Sequence, residues 1–283
     1  MKRTLATTVF FLSFLFINWT NISLSDDITI ISINKDTVEQ IGPYPFTRDK
    51  YASFIESIFT DYSPKCVYLN LLIYQYQQDS MKSDTSLFKA VNDKQNIFFS
   101  AMVSDTAVEH SYYIKSQFNE INYTKTWKVG GAIFPLKDIV QSGAYTSISD
   151  VGINNRGIVK RMPTVVQINN INYLSTPLFL TVTYLGVKPE DLFSGNSFGL
   201  DNKKVKTDKN GWFEIDFNHT FDKFSYHDIV NKKVNREFID QKVILFGIEY
   251  PELEDYLPID RYKVISGVEL IANATQTLID QLR

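Results

Sequence analysis

The sequence predicts an α/β fold: a layered mixed sheet, largely parallel in its N-terminal part, with flanking helices and a central hairpin. Three observations predict it. Short β-branched or apolar runs alternate with amphipathic stretches through the first hundred residues, the pattern of parallel strands joined by right-handed crossovers. A buried strand, an irregular loop and a helix close the chain at 242–283. Asn169-Asn170 between two short apolar runs marks a two-residue hairpin.

Asp27-Ile28-Thr29-Ile30-Ile31-Ser32-Ile33 is β-branched and reads as the first strand. Gly42-Pro43-Tyr44-Pro45-Phe46 is a turn, and Thr47 is placed to cap the helix behind it. In that helix Tyr51, Phe54, Ile55, Ile58 and Phe59 form a stripe. Residues 66–73 read as a second strand, and a polar loop runs on to Asp84. Leu87, Phe88 and Val91 line a short helix, and 97–103 is a third strand. Residues 104–126 lack clean periodicity, and 135–142 predict a short helix. Residues 165–168 and 171–174 form the hairpin, Thr176-Pro177 opens a helix that ends near Gly186, and 212–217 is another strand.

Lys-Val-Ile-Leu-Phe-Gly (242–247) is a strand covered on both faces. The loop 248–265 holds Pro251, Pro258 and the acids Glu249, Glu252, Glu254, Asp255 and Asp260. A helix opens at Ser266-Gly267-Val268-Glu269, with Ser266 and Glu269 at capping-box spacing. Val268, Ile271, Thr275, Leu278 and Leu282 share one face, opposite Glu269, Asn273, Gln276 and Asp280. Ile271→Ala is therefore expected to destabilise the fold and Gln276→Ala to change little.

The apolar share of 44% and aromatic share of 14% supply a large packed core and exclude a disordered chain. A net charge of −3 without a basic stripe argues against a nucleic-acid partner. Lys2-Arg3, an apolar stretch at 5–17 and Asp26-Asp27 mark residues 1–25 as a signal peptide or an N-terminal membrane anchor. The body, 26–283, reads as one extracytoplasmic domain, a monomer or a homodimer. A chain starting at Asp26 is expected to fold cooperatively. Cys66, the single cysteine, sits in an apolar run as a small hydrophobe.

The closing segment, with Asp255 and Pro258 in its loop and Gly267-Val268-Glu269-Leu270-Ile271-Ala272-Asn273-Ala274 after it, resembles the signature of the CHASE type-two family. The opening strand with Gly42-Pro43-Tyr44-Pro45-Phe46-Thr47-Arg48 is similar to the family's proline–aromatic–arginine turn. Gly157-Ile158-Val159-Lys160-Arg161-Met162-Pro163 and Ser225-Tyr226-His227-Asp228-Ile229 resemble its central stretch and its approach to the last strand. The resemblance implies an extracytoplasmic sensory domain of bacterial cyclases and histidine kinases. Such a domain binds a small-molecule signal, here unknown, and transmits it toward a membrane-linked output module; it is not an enzyme and takes no cofactor. Family members usually continue into membrane helices, so the chain is expected to be a piece of such a receptor or a free-standing exported sensor. Asn34 and Asn70 stand where the family tends to place aspartates, Asn154-Asn155-Arg156 replaces an acidic turn, and Ile271 takes a histidine position. Ligand chemistry resting on those groups is not carried over.

Gly195-Asn196-Ser197-Phe198-Gly199 matches the nucleophile elbow of a secreted α/β hydrolase using Ser197, the alternative reading. That elbow needs a strand before the serine and a helix after it, whereas polar, lysine-rich sequence surrounds this one. Asp208-Lys209-Asn210-Gly211 has Lys206 and Phe217 where a calcium loop needs ligands. His110, His219 and His227 lack metal-ligand spacing, so no metal site is expected. Arg48 and Asp255 remain as the ligand-binding candidates, each on a loop at the side where α/β sheets bind; the competing expectation is that they pair with one another or with backbone.

Overall fold

The computed structural model describes residues 23–77, 81–105, 123–253 and 256–283. The apolar stretch at 5–17, His110 and Asp255 lie outside the described residues. The chain opens with β1 (Ser23–Ile33), α1 (Lys35–Ile41), α2 (Arg48–Asp61), β2 (Cys66–Leu69), α3 (Met81–Val91) and β3 (Ile97–Ser104). Next come β4 (Trp127–Val129), β5 (Gly131–Ile133), α4 (Lys137–Gln141), β6 (Tyr145–Ile148) and β7 (Gly152–Ile153). β8 (Val159–Pro163), β9 (Val165–Ile168), β10 (Ile171–Leu174) and α5 (Thr176–Leu185) form the middle. Short strands β11 (Phe193–Ser194), β12 (Ser197–Leu200), β13 (Lys203–Lys204) and β14 (Trp212–Glu214) precede β15 (His219–Ser225). The chain closes with α6 (Tyr226–Val230), β16 (Val243–Ile248), β17 (Leu257–Pro258), β18 (Val264–Ile265) and α7 (Gly267–Leu282).

The main sheet runs β15-β1-β16-β2-β3-β5, with β6 also on β3. Its pairings are parallel except β3 with β5. The mixed, largely parallel sheet is thus as expected, but its order is not sequential: β16 inserts between β1 and β2. Alternation along each strand makes two cores. Ile31, Ile33, Val67, Leu69, Ile244 and Phe246 face α2, α3 and α6. Ile28, Ile30, Tyr68, Phe98, Val243 and Leu245 face α5 and α7. Cys66 is fully buried, and that burial pushes its thiol up, which suits a packing residue.

Local signals explain most ends. Asn169 and Asn170 hold positive φ in the tight turn of the β9–β10 hairpin. Gly186 closes α5 in the left-handed conformation, its N–H donating to the Val182 carbonyl. The sequence reading missed α1, which Asn34 caps by accepting from the Thr37 N–H at 3.0 Å. β2 stops at Leu69 rather than at 73, because 70–77 leave the sheet to wall a cleft. β1 begins at Ser23, and Ser23–Ser25 pair with His219–Phe221, so the sheet takes in residues ahead of Asp26.

α7 departs most from expectation. It is buried nearly all round, with Asn273, Gln276 and Thr277 at most 4% exposed. The main sheet covers one side, and α5 and β13 cover others. Its polar side chains find partners: Thr275 and Thr277 donate to carbonyls one turn back, at 2.8 and 2.7 Å. Gln276 accepts from the Ser25 hydroxyl at 2.5 Å and donates to Asp27 at 3.0 Å and Asp280 at 2.7 Å. The expectation that Gln276→Ala changes little is therefore overturned. Asn273-Ala274-Thr275 has the pattern of an N-glycosylation acceptor, and the burial of Asn273 closes it to glycosylation in the folded chain.

Asp27 also takes the Arg283 guanidinium at 2.7 Å and the Tyr184 hydroxyl at 2.6 Å, tying the start of the sheet to the end of α7. Burial alone would raise the Asp27 carboxyl, but the bonds from Arg283, Tyr184 and Gln276 outweigh it and hold it below its ordinary 3.8. A depressed carboxyl contributes stability that is full above the unfolded value and lost as pH falls through the folded one. Urea titrations from pH 7 to pH 3 should therefore show Asp27→Asn less stable at neutrality, with a shallower loss below about pH 4. Equal slopes in the two proteins would remove Asp27 from the acid limb.

Candidate ligand cleft at the carboxyl end of the sheet

Parallel strands bring their carboxyl ends to one edge, where open α/β sheets take ligands. β16 and β2 occupy the middle of this sheet. Above them, residues 70–77, Ile248, the turn at 44–46, Arg48 and Tyr51 enclose a cleft of about 500 Å³, within the usual range for small-molecule sites.

Arg48 opens α2, and its side chain is 11% exposed. Its Nη1 lies 3.2 Å from Oδ1 of Asp84, which is 3% exposed on α3, and its Nη2 donates to the Gln75 carbonyl. Burial pulls Arg48 below its ordinary value, and the Asp84 charge works against that pull. The second Asp84 oxygen accepts the Gln77 N–H at 3.0 Å. Gln77 in turn accepts the Arg48 N–H and donates to the Phe46 carbonyl, both at 3.3 Å. One buried ion pair thus fixes α2, α3 and the 75–77 loop around the cleft.

Aromatic rings make the rest of the wall. Tyr44 meets Phe46 edge-on at 5.7 Å across a cis Tyr44–Pro45 peptide, and Phe46 meets Tyr51 at 6.4 Å. The Tyr76 hydroxyl donates to Asp138 of α4, and its ring stands edge-on to Phe88 at 6.5 Å. Tyr74 and Tyr76 stay 48% and 55% exposed.

A second, smaller cleft of about 270 Å³ meets the first at Asn70 and is lined by Met102, Asp150, Gly267 and Ile271. Burial pushes the Asp150 carboxyl up even though it accepts the Val103 N–H at 2.7 Å. Beside it, α7 starts against the end of β16. A Cβ on Gly247 would lie 2.7 Å from Val268 Cβ, so only glycine lets the helix approach this closely. Ser266 accepts the Glu269 N–H at 3.2 Å, the cap its spacing predicted, while the Glu269 carboxylate turns to Lys223 at 3.0 Å. Lys223 also holds Glu249 at 2.7 Å; burial would lower the ammonium, and the two carboxylates keep it above its ordinary value.

Arg48 lines this cleft from the first turn of α2 rather than from a loop, and its acidic partner is Asp84. Asp84, Gln77, Tyr74 and Tyr76 were missed, although Tyr74-Gln75-Tyr76-Gln77 behind a buried strand is an unusual surface run. Ser197 lies in the β11–β12 hairpin, Phe193 pairing with Phe198, and is exposed. No helix follows it, so the elbow geometry of a hydrolase is not there. Asp208 accepts the N–H groups of Asn210 and Trp212 at 2.8 and 3.1 Å, a local turn braced by Arg161. Among the described residues no helix is long and apolar enough to cross a membrane.

Compared with known families, residues 5–283 match the CHASE2 domain, while no curated protein and no solved structure matches the chain. That match takes in the opening turn, the central stretch and the closing strand and helix together. The chain belongs to the CHASE2 domain family, the extracytoplasmic sensory domains of membrane-linked signalling proteins.

Proposed function

We propose that this domain receives a small-molecule signal in the cleft beside Arg48 and passes it through α7 toward a membrane-linked output module such as a cyclase or kinase. One observation carries the reading. Ile248 lines the cleft, its neighbour Gly247 packs on Val268, and Glu249 accepts the hydroxyl of the helix cap Ser266 at 3.4 Å. The end of a single strand thus touches both the ligand space and the first turn of α7. A ligand that shifts β16 by a fraction of an ångström meets a close-packed helix contact, which cannot deform smoothly. Export of the body and an anchor or signal at 1–25 accompany this reading, which is of a binding domain and not of a catalyst.

The test is a thermal-shift screen of the full chain in detergent against small metabolites, since a ligand stabilises the state it binds. Stabilising compounds should lose their effect in Gln77→Ala and should change hydrogen exchange at residues 266–270. Hits indifferent to the cleft variant would move the input site elsewhere, and hits that leave α7 unchanged would sever the proposed route.

A further inference from the structure

Taking that cleft as the input site, we infer that its ligand is a neutral, hydroxyl-rich ring: a saccharide. The charge balance comes first. Among the described residues that line the cleft, only Arg48 carries a charge at neutral pH, and its charge is matched by Asp84 at 3.2 Å. The Gln75 carbonyl takes the other end of the guanidinium. A charged ligand would leave water and meet no uncommitted counter-charge among the described lining residues, a costly transfer. A neutral one avoids that cost.

The lining then selects among neutral ligands. Tyr74 and Tyr76 are among the few large apolar side chains left exposed on the described surface, and both open on the cleft. The Tyr76 ring is held by its hydroxyl on Asp138 and by Phe88, so little conformational freedom is lost on binding. Such faces suit the C–H faces of a sugar ring. Asn70 and Gln75, which carry side-chain amides, line the same cleft. An amide offers donors and an acceptor side by side, and so does each sugar hydroxyl. The Asn70 oxygen is engaged by the Tyr68 hydroxyl at 3.1 Å, which directs its NH₂ donors to other partners.

Saturation-transfer NMR and calorimetry on the full chain test this, with glucose, galactose, N-acetylglucosamine and maltose as probes and adenosine and glutamate as non-saccharide probes. At least one sugar should bind. Tyr74→Ala and Tyr76→Ala should each weaken it about tenfold or more, while Tyr76→Phe, which keeps the ring, retains most of the affinity. Because Tyr74 is half exposed, Tyr74→Ala should melt close to the parent chain. Binding of adenosine or glutamate in place of every sugar, lost in Tyr74→Ala, would overturn the ligand class and leave the cleft as input site. Sugar binding that ignores both tyrosines would overturn the site itself, and no binding by any of the four sugars would overturn the inference.

Discussion

Ile271→Ala should lower the urea midpoint by the equivalent of about 2–5 kcal/mol, the usual result of emptying a buried aliphatic site. Ile271 is 2% exposed and belongs to the core between α7 and the sheet. Against a typical domain stability of roughly 5–15 kcal/mol, that is a large share of the total. The control on the same helix is Gln281→Ala, whose side chain is exposed and should shift the midpoint by less than about 0.5 kcal/mol. Gln276→Ala now belongs with the damaging substitutions. It takes away the acceptor of the Ser25 hydroxyl and one of the donors to Asp27, and a buried group deprived of its hydrogen bond costs about 1–3 kcal/mol. If Ile271→Ala and Gln281→Ala melt alike, α7 is not docked in solution and the proposed route for the signal falls with it.

Asp84→Ala should destabilise the domain by about 3–5 kcal/mol, because removing one partner of a buried pair leaves the other charge uncompensated. Arg48 has no second carboxylate within ion-pair distance among the described residues. The Gln77 N–H would lose its acceptor as well, so exchange of the 75–77 amides should quicken more than that of α5, on the opposite face of the sheet. The double variant Arg48→Met with Asp84→Leu should recover much of the loss, since a buried pair replaced by apolar groups of similar size is often neutral or better. A double variant no more stable than Asp84→Ala alone would show that the pair does more than balance charge. The cleft would then need the guanidinium itself.

The parts of the site legible in the sequence were those set by neighbours in the chain. Arg48 follows a turn of prolines and aromatics, and Ser266 precedes Glu269 by three; both signals survive folding, the first as a cleft residue and the second as a helix cap. Asp84 sits thirty-six residues beyond Arg48 in a stretch that reads only as polar, and nothing local says that it will be 3% exposed. The same limit applies to Ser197, where a five-residue match to an elbow is a hairpin once its flanks are seen.

By itself the sequence determined the layer structure. β-branched and continuous apolar runs made strands, period-3.6 stripes made α2 and α7, the paired asparagines made the hairpin, and Gly186 closed α5, all through interactions spanning a few residues. Only the tertiary structure decided that β16, the last long strand, slots between β1 and β2. Parallel pairing needs no turn between partners and their apolar runs are nearly interchangeable, so strand order leaves little local trace. That choice also decided the burial of Gln276 and the seating of Gly247 on Val268. A helix laid over a central strand pair is covered from several sides, whereas the periodicity of its own sequence reports one face at a time.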